Sequence, residues 1–215
     1  MSLPGGSETT LLLDRLRTVH TALADAGFDH AIGGGIALAH WVSRPRFTAD
    51  IDINVVASLQ QVDRLLELLG EFVEVTEKNR DDLSDPDIGQ ARLFFPAPRT
   101  PLDVFLPQHP QYHELVTTRA VPSAVLDGIP VMTATDLTVF KVLFDRAKDW
   151  ADIEAMLGHG HVETEEALTW LERIVGQDSR IDRLRHLSEI TAATDDETDD
   201  IPTFKNAIRK PDPSP

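Results

Sequence analysis

Residues Asp50-Ile51-Asp52-Ile53 alternate polar and apolar inside an otherwise apolar stretch, and this alternation constrains the fold more than any other feature of the chain. In a strand of period two, both carboxylates leave one face and both isoleucines enter the core. The chain must therefore build a sheet that buries one side and gathers negative charge on the other. Neighbouring carboxylates repel, and without a cation one is pushed towards protonation. Mg²⁺ accepts hard oxygen ligands and bridges to phosphates, which makes the pair a candidate metal site; a solvated strand edge is the plainer alternative. Just upstream, Gly33, Gly34 and Gly35 follow an apolar segment and precede the helix-compatible Ile36 to Val42. Such a run lets backbone N–H groups approach an anion, usually phosphate, at a helix N-terminus, although a tight turn needs the same residues.

The rest of the chain supplies the elements around this stretch. Leu12, Leu16, Val19, Leu23 and Ala26 recur at helical spacing before Gly27, predicting a helix over about Glu8 to Ala26, with Met1 to Thr10 loose at its start. Phe28 to Ile32 and Ile51 to Val56 read as strands. Ser58 caps a helix bearing Val62, Leu65, Leu66 and Leu69, and Phe72 to Thr76 returns as a strand. Glu77 to Gln90 is polar and reads as a mobile loop. Ala91 to Phe95 and Leu102 to Leu106 read as adjacent antiparallel strands. Gln108 to Arg119 reads as a short helix or irregular segment. Ala124 to Leu126 and Ile129 to Met132 read as a small hairpin turning at Asp127-Gly128.

Asp103 is a lone charge between Pro101-Leu102 and Val104-Phe105-Leu106, and a carboxylate buried there needs a partner, either Arg92 or Arg99, or a metal. Downstream, Thr133 or Thr135 caps a helix running through TATDLTVFKVLFDRAKDWADIEAML. Leu137, Phe140, Phe144, Ala147 and Ala151 would form its apolar stripe, and Lys141, Asp145, Lys148 and Asp152 would share the next face. By spacing alone, that face is solvated and laced by i,i+4 pairs such as Lys141 with Asp145. Glu163 to Val175 and Ser179 to Thr191 add two amphipathic helices, with Leu168, Leu171, Ile174, Ile181, Leu184 and Leu187 packing inward.

The net charge of −16, from 20 basic and 36 acidic side chains, disfavours broad binding of polyanions. Part of the excess lies in Asp195 to Asp200, and 193–215 reads as an acidic, proline-bearing tail without order. Arg44 and Arg46 leave a local basic patch for a polyphosphate or an RNA end. The absence of cysteine removes thiol catalysis and thiolate metal sites. No apolar run approaches ~18 residues and no basic-then-apolar leader opens the chain, so a cytoplasmic protein without membrane contact is expected. The eight histidines do not cluster; His109 with His113 and His159 with His161 are the close pairs, and a loop His-Gly-His is more often solvated than a ligand set.

A Gly-Gly, a short helix, Arg44-Pro45-Arg46-Phe47-Thr48 and an Asp-x-Asp strand resemble the signature of the polymerase-beta-like nucleotidyltransferases. The wording GGIALAHWVSRPRFTADIDI is most similar to the minimal enzymes grouped with AbiEii/MenT-type toxins of toxin–antitoxin systems. That group carries Asp-Leu-x-x-x-Lys followed by Arg/Lys-Asp-x-x-Asp, here Asp136 to Lys141 and Lys148 to Asp152, with Lys148 where arginine is common. The resemblance implies an α+β fold: a mixed sheet flanked by helices (1–132), then a helical C-terminal part (133–192). It implies two Mg²⁺ held by Asp50, Asp52 and Asp103, a triphosphate cradled by Gly34 and Gly35 and neutralised by Arg46 and Lys141, and Asp152 near the active centre. Thr48, two residues before Asp50, would face the metal-bound phosphate, unless it is a buried strand hydroxyl. The implied reaction moves an NMP from an NTP to a hydroxyl of RNA, such as a tRNA end, or of a protein, under the control of a cognate antitoxin. Transfer to a small antibiotic-type molecule and a non-catalytic nucleotide-binding role are the alternatives.

Overall fold

The computed structural model describes residues 5–198, and side chains over 9–193. Helix α1 (Gly5–Asp25) buries Leu16, Val19 and Leu23, the spacing that the sequence predicts, and begins inside the stretch expected to be loose. Strand β1 (His30–Ile32) leads through Gly33 into α2 (Gly34–Trp41), and β2 (Ile51–Val55) carries the alternating carboxylates. After a 3-10 turn capped by Ser58 comes α3 (Val62–Leu69), which buries the four predicted apolar positions. The strand expected at Phe72 to Thr76 shrinks to one bridge, Glu74 with Phe94. The chain is diverted there because Thr76 and Asn79 form a reciprocal cap that starts α4 (Glu77–Ser84). The polar segment expected as a mobile loop is therefore a helix. Its Leu83 is fully buried, and its Asn79 Nδ2 donates to the carbonyl of Arg92 at 3.0 Å.

Strands β3 (Gln90–Phe94) and β4 (Pro101–Phe105) are antiparallel, as expected. Arg15 of α1, 9% exposed, secures their turn by donating to the carbonyls of Pro96 and Pro98 at 2.9 and 2.6 Å. Helix α5 (Pro110–Thr118) precedes a hairpin whose arms are β5 (Val121–Pro122) and β6 (Pro130–Val131). Asp127 and Gly128 do take positive φ, but 124–126 winds into a 3-10 turn, so the first arm lies further upstream than the Asp-Gly spacing suggests. The six strands form one mixed sheet in the order β3-β4-β2-β1-β6-β5. Strands β2 and β4 pair in parallel, with Asp52 opposite Asp103.

The largest departure from expectation lies in the C-terminal half. The predicted long helix is two helices, α6 (Ala134–Phe144) and α7 (Ala147–Leu157), capped at Thr133 and broken where Asp145 adopts φ +53°. Trp150 Nε1 donates to Asp145 Oδ1 at 2.6 Å, and the backbone of Arg146 is extended. The expected apolar stripe fails beyond the break. Ala147 and Ala151 are exposed and Phe144 is 40% exposed, whereas Trp150, Ile153, Met156 and Leu157 face inward. Helix α6 is buried on nearly all sides, packed against α2, α7, α8 (Thr164–Val175) and α9 (Ser179–Thr198). Helix α9 enters the segment expected as a tail, whose remainder, 199–215, lies outside the described residues. Among the described residues no helix is long and apolar enough to cross a membrane.

Asp136, the first residue of the lysine-bearing motif, holds these helices together rather than facing the sheet. Fully buried, it accepts from Arg119 Nε at 2.7 Å, Thr133 Oγ1 at 2.6 Å and Tyr112 Oη at 2.9 Å, while Arg119 also pairs with Glu166 of α8. Burial and the Asp136 charge push the Tyr112 phenol far above its ordinary range, so it stays a donor. Removing one partner of a buried pair leaves an uncompensated charge, at a typical cost of about 3 kcal/mol or more. Arg119→Met should therefore lower unfolding free energy by about 3 kcal/mol in denaturant titration. A loss below about 1 kcal/mol would show that Tyr112 and Thr133 suffice for Asp136.

Candidate active site

Strand alternation puts Asp50, Asp52 and Asn54 on one face of β2, and the pairing register places Asp103 and then Arg92 beside Asp52 across β4 and β3. Carboxylate oxygens of Asp50, Asp52 and Asp103 all lie within 4.8 Å of one another. A cleft opens over them, walled on the far side by α6 and the start of α7. An all-oxygen donor set at this spacing fits a hard divalent cation, and no other such group of ligands occurs among the described residues.

The carboxylates differ in environment. Burial, then the charges of Asp50 and Asp103, hold the Asp52 proton up to about pH 6, with Lys141 and Arg146 acting the other way. Burial also opposes ionisation of Asp50. There, however, the Thr48 hydroxyl donates to Oδ1 at 2.5 Å, its own backbone amide adds a bond, and Lys148 and Arg92 add charge, so its carboxyl lies below the usual range. Asp103, 3% exposed, is gripped by Arg92 with Nε–Oδ1 at 2.7 Å and Nη2–Oδ2 at 2.5 Å. Arg92 Nη2 also lies 3.9 Å from Asp50. The sequence left Asp103 with either an arginine partner or a metal role, and the geometry contains both the Arg92 pair and the acid cluster.

The glycines have separate duties. Gly34 lines the cleft at φ +56°, and a Cβ there would collide with the Asp52 carboxylate, so glycine is what lets the turn lie against that acid. Gly33 N–H donates to the Asp52 carbonyl at 2.9 Å and ties the turn to β2. Gly35, expected to cradle phosphate, is buried away from the cleft. A Cβ on it would sit 2.6 Å from Thr48 Cβ, so it makes room for Thr48. Thr48, expected to face phosphate, does not line the cleft either and acts on Asp50.

Lys141 lies in the cleft but is not on a solvated face. It is 3% exposed, with Nζ 2.5 Å from Asp152 Oδ2 and 3.7 Å from Asp149 Oδ1. In an unbroken helix, eleven residues would separate Lys141 and Asp152 by about 16 Å along the axis. The turn at Asp145 folds α7 back and closes that gap, which corrects the expected Lys141–Asp145 pairing. Asp152 also receives both contacts of Arg46 Nε, at 3.1 Å, and does not itself line the cleft, so it positions Arg46 and Lys141. Arg92, Arg146 and Asp149 line the cleft and were missed as site residues. Arg146 caps α7 through Asp149, with Nε–Oδ2 at 2.6 Å. The sequence signal for Arg92 was its place in β3 opposite Asp103; the signal for Arg146 was hidden by the unforeseen helix break.

Two outcomes follow. Lys141→Ala leaves Asp152 and Asp149 buried without their shared cation and should cost about 3 kcal/mol in unfolding free energy, against about 0.3–0.5 kcal/mol for an exposed helical pair; a loss in the lower range would contradict the burial seen here. For Asp52, a raised value means that the folded state binds the proton more tightly than the unfolded chain. Stability on its account is therefore lost as pH rises from about 4 through 6. Asp52→Asn lacks this penalty and should stabilise the metal-free protein at pH 8 by on the order of 2 kcal/mol, with the gain fading at pH 4, as followed by thermal melting. A gain independent of pH would rule out Asp52 as its source.

No match is found among curated proteins. Three solved structures overlap most of the chain. An antigenic nucleotidyltransferase-like protein from Paracoccidioides brasiliensis is 19% identical, covering 80% of this chain and 92% of its own, with a TM-score of 0.47. JHP933 from Helicobacter pylori is 14% identical, covering 92% and 97%, with a TM-score of 0.49. The antibiotic-resistance factor ANT(2'')-Ia is 13% identical, covering 88% and 97%, with a TM-score of 0.44. These are distant likenesses, and the assignment rests on the sequence profile described as "Nucleotidyl transferase AbiEii toxin, Type IV TA system", which matches residues 21–214. The chain belongs to the AbiEii nucleotidyltransferase toxin family.

Proposed function

We propose that the cleft binds a Mg²⁺-loaded nucleoside triphosphate and transfers its nucleotidyl group to an acceptor hydroxyl. The observation that carries this reading is the acid trio on one sheet face with Lys141 and Arg146 opposite. Asp50, Asp52 and Asp103 would hold the cation, which when bound supplies charge neutralisation at the phosphates and acidifies a nearby hydroxyl. Because Asp52 must give up a proton that it keeps to about pH 6, cation binding is expected to release protons below that pH. Lys141 and Arg146 project positive charge where a triphosphate would lie, and their carboxylate partners fix them in place before substrate arrives. Arg46 reaches the same cleft from the loop before β2. The acceptor oxygen bonds to the α-phosphorus as the bond to pyrophosphate breaks.

The acceptor is a hydroxyl of RNA, such as a tRNA end, or of a protein, acted on in the cytoplasm, and the toxin–antitoxin family supports a cognate antitoxin. A small hydroxylated molecule is the second reading, favoured by the net charge of −16, which repels polyanions. Incubation with each labelled NTP and either total RNA or a panel of small hydroxylated compounds distinguishes the two. Asp50→Asn keeps an acceptor for the Thr48 hydroxyl and should retain the fold, by circular dichroism, while losing Mg²⁺-dependent nucleotide binding in calorimetry. Unchanged Mg²⁺-dependent binding would overturn the metal assignment.

A further inference from the structure

The sheet face that carries the acids continues beyond them. Next to the row Asp52, Asp103, Arg92 the register sets a second row, Asn54, Phe105, Gln90, two residues and so about 7 Å further along the strands. Across that step the chemistry changes from anionic to aromatic and amide. Asn54 is 4% exposed, and its Oδ1 has no hydrogen-bond partner; its Nδ2 reaches only Met132 Sδ, at 3.9 Å. A buried amide oxygen normally has a donor, and this one, shielded from solvent on a residue that lines the cleft, lacks one until its side chain turns towards a ligand. The opposing wall is α6, whose Phe144 stands edge-on to Phe105 at 5.9 Å and remains 40% exposed. The cleft here meets a second hollow, and Gln90, Phe105, Phe140 and Phe144 line both.

We propose that this second row is a nucleobase subsite: a planar heteroaromatic ring lies against Phe105 and Phe144, and an amino or hydroxyl group of the same nucleoside donates to Asn54 Oδ1. The inference rests on the reading of the first row as the phosphate and cation site. A step of about 7 Å is the order of separation that a ribose sets between its 5′-phosphate and its base. Aromatic faces with one unpaired acceptor suit a base better than a saturated sugar, which needs several polar partners, or an aliphatic chain, which needs none. The ring could come from the donor NTP or from the terminal nucleotide of an RNA acceptor, and the probes separate these sources.

The test uses the full-length protein with Phe144→Ala, Phe144→Leu and Phe144→Trp, since Phe144 is exposed enough for its replacement to spare the core. Affinities are measured with Mg²⁺ for each NTP, for inorganic tripolyphosphate and for a short single-stranded oligoribonucleotide. The alanine and leucine variants should bind at least one NTP about tenfold more weakly and the tryptophan variant should bind normally; tripolyphosphate should lose clearly less than the NTP, since its only tie to Phe144 is the Arg146 guanidinium lying 4.8 Å over that ring. The same pattern with the oligoribonucleotide, and not with NTPs, assigns the ring to the acceptor and supports the subsite equally. Unchanged affinity for both probes overturns it, as does an equal loss for tripolyphosphate, which carries no ring. The parent reading is judged separately. If Asp50→Asn binds Mg²⁺-tripolyphosphate as tightly as the unsubstituted protein, the first row is not a phosphate site and the subsite falls with it; if only the Phe144 pattern fails, the first row stands alone.

Discussion

Asp52 and Asp103 stand side by side on neighbouring parallel strands, with Asp50 close by, and their mutual repulsion is the force that the surrounding structure must balance. The answer is distributed. Arg92, one strand further out, forks onto Asp103 and leans towards Asp50. Lys141 and Arg146 supply charge from the helical side, and Thr48 gives Asp50 a hydrogen bond. Each contribution depends on a different element: α4 clasps β3, α1 fixes the β3–β4 turn, and the glycine turn is stitched to β2.

The helical half shows a second balance. Lys141, Asp149 and Asp152 are all nearly or fully buried, an expensive arrangement that well-packed apolar residues could match in stability. A buried ion network is therefore weak grounds for a stabilising role and better grounds for a positional one. Here it holds an ammonium and two guanidinium groups on the rim of an acidic cleft, each tied to a carboxylate and each still facing inward. The family resemblance drew attention to Lys141 and Asp152, and the structure gives the reason that they occur together: they are one contact.

Much of this was legible in the residues. Period-two alternation located β2 and an apolar run located β4, while helical spacing located α1, α3, α8 and α9, whose burial is one-sided and recorded in the pattern. The polar helix α4 was missed because only Asn79 and Leu83 turn inward, too few for a stripe, while its cap lay in a Thr-x-x-Asn pair that was overlooked. The break between α6 and α7 was missed because it uses neither glycine nor proline: Asp145 takes the left-handed region, and a buried α6 has no polar face whose phase could slip. That single omission misplaced Lys141, Arg146 and Asp149. Gly35 was expected to lend its backbone to a phosphate and Thr48 to share the carboxylate face; their close packing on each other was not legible, since tight packing and phosphate binding demand the same small residue.

The order in which the chain delivers its parts has a temporal consequence. Asp52 and Lys141 meet across the cleft but are separated by 141 − 52 = 89 positions, an interval that synthesis at roughly 5–20 residues per second spans in about 4–18 s. During that interval the acids exist on the emerging chain without the cations of α6 and α7, and without the helices that bury Lys141. A nascent polypeptide thus carries the acid cluster before the helices that face it, and the cleft is complete only when its last third has left the ribosome and closed over the sheet.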